Sequence, residues 1–127
     1  MNSNEIEPHE ILHRGITTNP DMWKTSTGRP SSAAFKQSAS LSVVRYGGRE
    51  FEDIKKSLIS NVKKPLKAVA FFSVQKCFDK EMQVRPDPNP DGQNPYHALI
   101  DDSKEIIGIG KVKAKYLASI CDFKLVQ

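Results

Sequence analysis

Short apolar runs along the chain predict the strands of a small, mainly antiparallel sheet. The run 68–74 is the most apolar of these and is expected to form a buried strand at the centre of the core. The other runs alternate or are rich in β-branched residues, and turns containing glycine or proline bound them. The predicted strands cover residues 11–16, 41–44, 68–74, 82–84 and 96–100.

The segment 50–62 has the clearest helical periodicity. Its apolar residues recur at steps of three and four, which places them on one face of a helix. Acidic residues occupy the first turn, where they complement the helix dipole, and Pro65 follows the end. The predicted buried stripe consists of Phe51, Ile54, Leu58 and Val62.

A second helix is predicted near the C-terminus, over residues 111–121. Helical spacing selects its inward-facing residues, and the polar segment 122–127 is expected to be a tail. The predicted inward residues are Val112, Tyr116, Leu117 and Ile120.

Length and composition fit one small domain. A chain of 127 residues can bury about two thirds of its unfolded surface. We therefore predict a single α+β domain over residues 10–127, with a mainly antiparallel sheet and two helices, preceded by a flexible segment at 1–9. Nineteen Lys and Arg against fifteen Asp and Glu give a net charge of +4. This charge permits an anionic partner but falls short of the basic stripe of a dedicated nucleic-acid binder.

Nothing in the sequence indicates a membrane protein or a metalloprotein. No run approaches the roughly 18 apolar residues of a membrane span, and the N-terminus is acidic, so we predict a cytoplasmic protein without membrane contact. Cys77 and Cys121 are far apart, so we interpret them as reduced core thiols. Together with His9, His13 and His97 they lack the spacing of a zinc site, and we predict no metal and no cofactor.

The most distinctive segment is 84–100, which contains four of the eight prolines. Each proline fixes φ and lacks an N–H, so this segment is expected to run as a stiff, polyproline-like chain, with a bend at Gly92. A rigid polar loop between two apolar runs suits a binding platform. It is equally consistent with a well-made connection.

A set of arginine, serine, aspartate and histidine residues forms the candidate ligand or partner surface. Arginine binds carboxylate or phosphate through two parallel hydrogen bonds, and serine hydroxyls add donors. If the predicted strands pair in one sheet, Arg14, Arg85 and His97 converge at one edge. The residues of this surface are Arg14, Arg29, Ser31, Ser32, Arg85, Asp87 and His97.

An ordinary structural role for the same residues is favoured over this convergence. Arg85 then pairs with Asp87 or Asp91, and His97 is a strand histidine with its hydrogen bonds satisfied. A hydrolytic triad of His97, Asp87 and a serine is conceivable, but nothing in the residue spacing indicates one.

The segment 106–117 resembles the helix–hairpin–helix motif of DNA-binding proteins. In that motif a Gly-apolar-Gly hairpin opens a helix, so the resemblance implies phosphate-backbone contacts by Gly108, Gly110, Lys111 and Lys113. Acidic residues occupy the place of the motif's first helix, where they repel phosphate. A glycine-hinged loop before the last helix is therefore the favoured interpretation.

Most of the chain resembles a family of uncharacterised small bacterial proteins. The shared pattern is Gly-Arg-x-(Ser/Thr)-Ser-x-Ala-Phe, then Leu-Ser-Val, Val-x-Pro-Asp-Pro and Pro-x-His-Ala-x-Ile. In this sequence it falls at 28–35, 41–43, 84–88 and 95–100. The resemblance implies no particular activity.

Three function classes follow from these observations. The first is a cytoplasmic accessory module that binds another protein through the proline segment and the block 28–35. The second is a binder or enzyme for a phosphate-bearing or nucleotide-like ligand, using Arg14, Arg29, Arg85 and His97. The third is nonspecific nucleic-acid binding through 108–115. The sequence leans against an enzyme, assigns no catalytic residue and leaves the oligomeric state open.

Overall fold

The computed structural model describes residues 6–59, 64–88 and 95–126. Its main feature is a six-stranded antiparallel sheet, accompanied by one short two-stranded hairpin. The strands are β1 (Ile11–Thr17), β2 (Trp23–Lys24), β3 (Arg29–Pro30), β4 (Leu41–Arg45), β5 (Leu66–Ser73), β6 (Gln83–Pro86), β7 (His97–Asp101) and β8 (Asp122–Leu125).

Strands β1, β4 and β5 form the centre of the sheet. The order across it is β6-β7-β4-β1-β5-β8, and the hairpin pairs β2 with β3. Strand β1 therefore bonds to a partner on each side, as the most central strands of a buried sheet do. Strands β6 and β8 are the edges.

Three helices accompany the sheet. Helix α1 follows β4, the short α2 follows β5, and α3 lies between β7 and β8. Among the described residues, no helix has the length and apolar character needed to span a membrane. The helices are α1 (Phe51–Ile59), α2 (Val74–Phe78) and α3 (Lys111–Ile120).

The two faces of the sheet carry separate apolar layers. On one face, α3 and the 3₁₀ turn Ser32–Ala34 cover the larger layer, which includes Leu12, Val43, Phe35 and Leu117. On the opposite face, α1 packs on β1 and β4 through Ile54 and Leu58, against Val44, Leu66 and Val69. Gly15 leaves room for the Leu66 side chain of β5 on this face, since a Cβ at Gly15 would lie 2.9 Å from it.

The predicted α+β class with a mainly antiparallel sheet is confirmed, and the helices include the two expected ones. The predicted buried stripe of α1 is correct for Ile54 and Leu58, and Val62 lies outside the described residues. The short helix α2 begins at Val74, the last residue of the strand predicted over 68–74.

Two details near the C-terminus were predicted wrongly. Val112 is 82% exposed, because α3 buries Ala114, Leu117 and Ala118 instead, and small alanines allow the helix to lie close to its neighbours. The expected tail forms strand β8 along β5. Phe123 anchors this strand by packing edge-on against Trp23, with ring centroids 5.5 Å apart.

Gly108 is the glycine whose substitution should disturb the fold most clearly. Its φ is +89°, and an added Cβ would lie 2.5 Å from the Gln37 carbonyl oxygen. We expect Gly108→Ala to lower the free energy of unfolding by more than about 2 kcal/mol in urea titrations. Gly48→Ala is the matched control: its φ is +71° but its Cβ meets nothing within 4 Å, so about 1 kcal/mol is expected. Equal losses for the two variants would contradict the close approach at Gly108.

Candidate functional site

The structure distributes the predicted polar residues over three places. Arg85, Asp87 and His97 lie together on the α1 face of the sheet, at the end formed by β6 and β7. Arg14 lies on the α3 face, and the block 29–32 lies beside α3 itself. Of the three residues expected to converge at one sheet edge, Arg85 and His97 lie together, whereas the placement of Arg14 with them is wrong because Arg14 lies on the opposite face.

Arg14 lies on the α3 face of the sheet, where it forms hydrogen bonds within the protein. It has the same strand parity as Leu12 and therefore points to the α3 face, where its Nε donates to the Ala34 carbonyl at 3.1 Å and its Nη1 to the Ser42 carbonyl at 3.0 Å. Burial lowers the pKa of this guanidinium to about 10. Arg14 thus connects the 3₁₀ turn Ser32–Ala34 to β4, and its hydrogen bond to the Ser42 carbonyl comes from the α3 face of the sheet.

On the opposite face, Ser42, His97 and Asp87 form a continuous hydrogen-bonded chain. The Ser42 hydroxyl contacts His97 Nε2, and His97 Nδ1 lies 3.0 Å from Asp87 Oδ2. The pairing of β4 with β7 sets this arrangement. Val44 lies opposite His97, so Ser42 is its diagonal neighbour, within reach of an imidazole ring.

The hydrogen bonds of His97 determine which ring nitrogen carries the proton. Nδ1 faces two acceptors of Asp87, the carboxylate and the main-chain carbonyl at 3.1 Å. A carbonyl oxygen only accepts, so Nδ1 must be the donor. In the neutral ring Nε2 is then an acceptor, and the Ser42 hydroxyl donates to it. This is the tautomer that a histidine needs in order to act as a base toward serine.

Prolines hold Asp87 in register with His97. Asp87 lies between Pro86 and Pro88, which restrict its backbone to extended geometry, and its N–H donates to the His97 carbonyl at 2.8 Å. Strand β6 is an edge strand, where proline is tolerated. The stiff segment predicted at 84–100 therefore positions a carboxylate, while its bend at Gly92 lies outside the described residues.

A second polar cluster lies on the same face, around Asp101. This residue is 1% exposed, and its carboxylate accepts from the Ser40 hydroxyl at 2.5 Å, from the Gly108 N–H at 3.1 Å and from Arg85 Nε at 3.4 Å. Burial alone would raise the pKa of Asp101, but the Ser40 and Gly108 hydrogen bonds and the Arg85 charge outweigh it and lower the pKa. Arg85 therefore pairs with Asp101. The sequence suggested Asp87 or Asp91 as its partner, and Asp91 lies outside the described residues.

The two clusters face each other across Leu99. Leu99 is opposite Ser42 on β4 and opposite Arg85 on β6. The Cα atoms of Ser42 and Arg85 are therefore separated by two strand spacings, roughly 9–10 Å. The Arg85 side chain is 42% exposed, and a guanidinium has five donors, of which the bonds to Asp101 and Ser40 use two. The Ser42 hydroxyl and the Arg85 guanidinium thus lie on either side of the Leu99 side chain.

The Gly108–Gly110 hairpin is occupied by contacts within the protein. The Gly108 N–H donates to Asp101 and the Ile109 N–H to the Gln37 carbonyl, so neither is available to a phosphate. Lys113 forms an ion pair with Asp102 at 2.9 Å. Residues 102–107 form no helix, so the first helix of a helix–hairpin–helix motif is missing. Of the four residues predicted to contact a phosphate backbone, Lys111 and Gly110 remain exposed.

The block 29–32 anchors the β2–β3 hairpin to α3. Arg29 Nη2 donates to the Ala118 carbonyl at 2.9 Å and to the Cys121 carbonyl at 2.7 Å, at the end of the helix where a cation is favourable. The Ser31 hydroxyl donates to the Asp21 carbonyl, whereas Ser32 is exposed.

The described residues contain no group of three or more His, Cys, Asp or Glu side chains placed to hold a metal ion. Cys77 and Cys121 are free thiols buried in the core. Burial raises the pKa of Cys77 to about 12, so this thiol stays protonated and unreactive at neutral pH.

Comparison with known proteins adds no family to this description. No protein-family model, no curated protein and no solved structure matches the chain. The members of the two polar clusters that sequence reasoning missed are Ser42, Ser40 and Asp101. Ser42 contacts a histidine 55 positions away, so only the strand register could have identified it.

The lowered pKa of Asp101 predicts a pH-dependent contribution to stability. A carboxylate with a depressed pKa in the folded state stabilises the protein above its ordinary pKa of 3.8, and this contribution disappears as the pH falls through the folded-state value. We expect Asp101→Asn to lower the free energy of unfolding by about 1–3 kcal/mol at pH 7. Below pH 3.8 the difference from wild type should shrink.

Urea unfolding at a series of pH values tests this expectation. The matched control is Asp21→Asn, since Asp21 is exposed and its side chain belongs to neither polar cluster. That variant should track wild type at every pH. A stability difference for Asp101→Asn that is constant from pH 7 to pH 2 would contradict the assignment.

Proposed function

We propose that this chain is a serine-dependent acyl hydrolase with Ser42 as its nucleophile. The observation that carries this proposal is the hydrogen-bonded chain from Ser42 Oγ through His97 to Asp87, with the proton of His97 on Nδ1. A nucleophile, a base within hydrogen-bond reach and a group that orients the base define this class of site by geometry.

The reaction follows from the positions of the protons. Ser42 Oγ attacks the carbonyl carbon of an ester while its proton moves to His97 Nε2. The carbon–oxygen bond of the leaving group then breaks, and the alcohol departs with that proton. Water, activated by the same Nε2, attacks the acyl-serine, releases the carboxylic acid and restores the Ser42 hydroxyl.

Asp87 acts as an orienting group in this proposal. Its two acceptors hold the imidazole in one tautomer and one orientation, and its negative charge stabilises the imidazolium that forms during attack. It does not take up a proton. The prolines on either side of Asp87 reduce the motion that would misalign the pair.

Arg85 is proposed to select substrates that carry an anionic group. An ester lying across Leu99 with its carbonyl at Ser42 would direct its far end toward the guanidinium. The bonds from Arg85 to Asp101 and Ser40 are long, at 3.4 Å and 3.3 Å, and the Asp101 carboxylate has two other donors. A carboxylate or phosphate on the substrate can therefore compete for the exposed side of the fork.

The two sequence-based hypotheses that concern this part of the chain stand differently. Binding of another protein through the segment 84–100 stays a prediction, since residues 89–94 lie outside the described part. A cytoplasmic location also stays a prediction. A phosphate-bearing ligand held jointly by Arg14, Arg29, Arg85 and His97 is not proposed, because these four side chains do not share a face.

Covalent labelling tests the nucleophile directly. A base paired with a serine contributes about 10²–10⁴-fold to its reactivity. A fluorophosphonate should therefore modify Ser42 stoichiometrically, as shown by intact mass and peptide mapping. Ser42→Ala should abolish the modification. The matched control is Ser73→Ala, which removes a half-buried strand serine outside both polar clusters and should label like wild type.

The supporting residues should change the rate of labelling and not its site. His97→Gln is expected to slow labelling about 100-fold or more, and Asp87→Asn about tenfold or more, because the second variant leaves the imidazole in place but unoriented. Labelling that is spread over several serines, or that is unchanged in His97→Gln, would contradict the proposal.

A pair of esters tests the role of Arg85. Arg85→Gln should raise the KM for a nitrophenyl ester with an acyl carboxylate by about tenfold, since a hydrogen bond to a charged group is lost. The KM for the neutral nitrophenyl acetate should stay unchanged, and Arg85→Lys should restore part of the preference. Equal losses for both esters would show that Arg85 does not bind the substrate anion.

A further inference from the structure

A groove between the β2–β3 hairpin and α3 collects cationic side chains from two distant parts of the sequence. It has a volume of about 470 Å³ and lies against α3, on the face of the sheet away from Ser42. Residues from the block 28–35 and from the segment 108–115, which the sequence presented as separate candidates, therefore line one concave surface. The cations that line it are Lys24, Arg29, Lys111 and Lys115.

Basic side chains predominate among the charged residues of this groove. Four of the nineteen Lys and Arg residues of the sequence line it. None of the described residues that line the groove is acidic. Within the described residues, Lys24, Lys111 and Lys115 form no ion pair, whereas Lys113 on the same helix is neutralised by Asp102.

Two of these lysines occupy positions that are unfavourable for the isolated protein. Lys111 is the first residue of α3, where the helix dipole repels a cation, and the first turn of α3 contains no acidic residue. Lys115 follows at i+4, so two like charges lie on one helix face. Helix α1 shows the opposite arrangement, with Glu52 and Asp53 in its first turn. A bound anion would relieve both repulsions at Lys111 and Lys115.

We infer that this groove binds a small ligand with a multiply charged phosphate group, such as a diphosphate. Three exposed ammonium groups match an anion with two or more charges, and the exposed Ser32 hydroxyl adds a neutral donor. Arg29 serves to build the groove, because its guanidinium is held by the carbonyls at the end of α3. The volume lies within the range of small-molecule sites.

Calorimetric titration of the full chain with inorganic diphosphate, at constant ionic strength, tests this inference. We expect saturable binding to wild type and a loss of about tenfold or more in Lys111→Gln/Lys115→Gln, since hydrogen bonds to charged groups are lost. The matched control is Lys56→Gln/Lys76→Gln, which removes the same charge from exposed sites on α1 and α2 and should bind like wild type. Absence of saturable binding, or equal weakening of the two double variants, would overturn the inference.

Two further measurements separate this inference from its alternatives. Without ligand, Lys111→Gln/Lys115→Gln should unfold at a higher urea concentration than wild type, because it removes the repulsion at the start of α3. An unchanged or lower midpoint would contradict that part of the argument. A short DNA duplex should bind more weakly than diphosphate. Tighter duplex binding with a steep salt dependence would replace the small ligand by a nucleic acid.

Discussion

The register between β4 and β7 is the constraint on which the proposed site depends. It places Val44 opposite His97 and Ser42 opposite Leu99, so the serine hydroxyl and the imidazole share a face and lie on a diagonal. Side chains alternate along a strand, and a slip of one residue would move His97 to the α3 face. The apolar layer on the α3 face opposes such a slip, because the slip would expose residues of this layer such as Val43, Ala98 and Ile100.

The supports of this register are polar as well as apolar. Arg14 holds the Ser42 carbonyl from the α3 face, and Asp101 ties Ser40 to the Gly108 loop that precedes α3. Beyond them, the proline-flanked end of β6 carries the orienting carboxylate. Helix α1 covers the middle of its face of the sheet, over β1 and β4, and leaves the β6–β7 end of that face exposed. The polar side chains at this end therefore face solvent, while the α3 face of the sheet is buried.

Much of the fold follows from local patterns in the sequence, but the site does not. Period-two and helical patterns located β1, β4 and the buried stripe of α1 because each element repeats its own signal. The pattern missed β8, an edge strand in which Phe123 is the most buried residue, and it misassigned Val112 because α3 buries alanines. Residue chemistry identified Arg85 and His97. Their partners, Asp101 and Ser42, depend on strand pairing over 16 and 55 positions.

The tautomer of His97 is the most direct measure of this account. Long-range ¹H–¹⁵N spectra of the imidazole rings report which nitrogen carries the proton. At a pH where the ring is neutral, we expect a protonated Nδ1 with a downfield-shifted proton that Asp87→Ala removes. We also expect an unprotonated Nε2 whose shift changes in Ser42→Ala. A ring protonated on Nε2, or a spectrum that neither variant changes, would show that the Ser42–His97–Asp87 chain does not exist in solution.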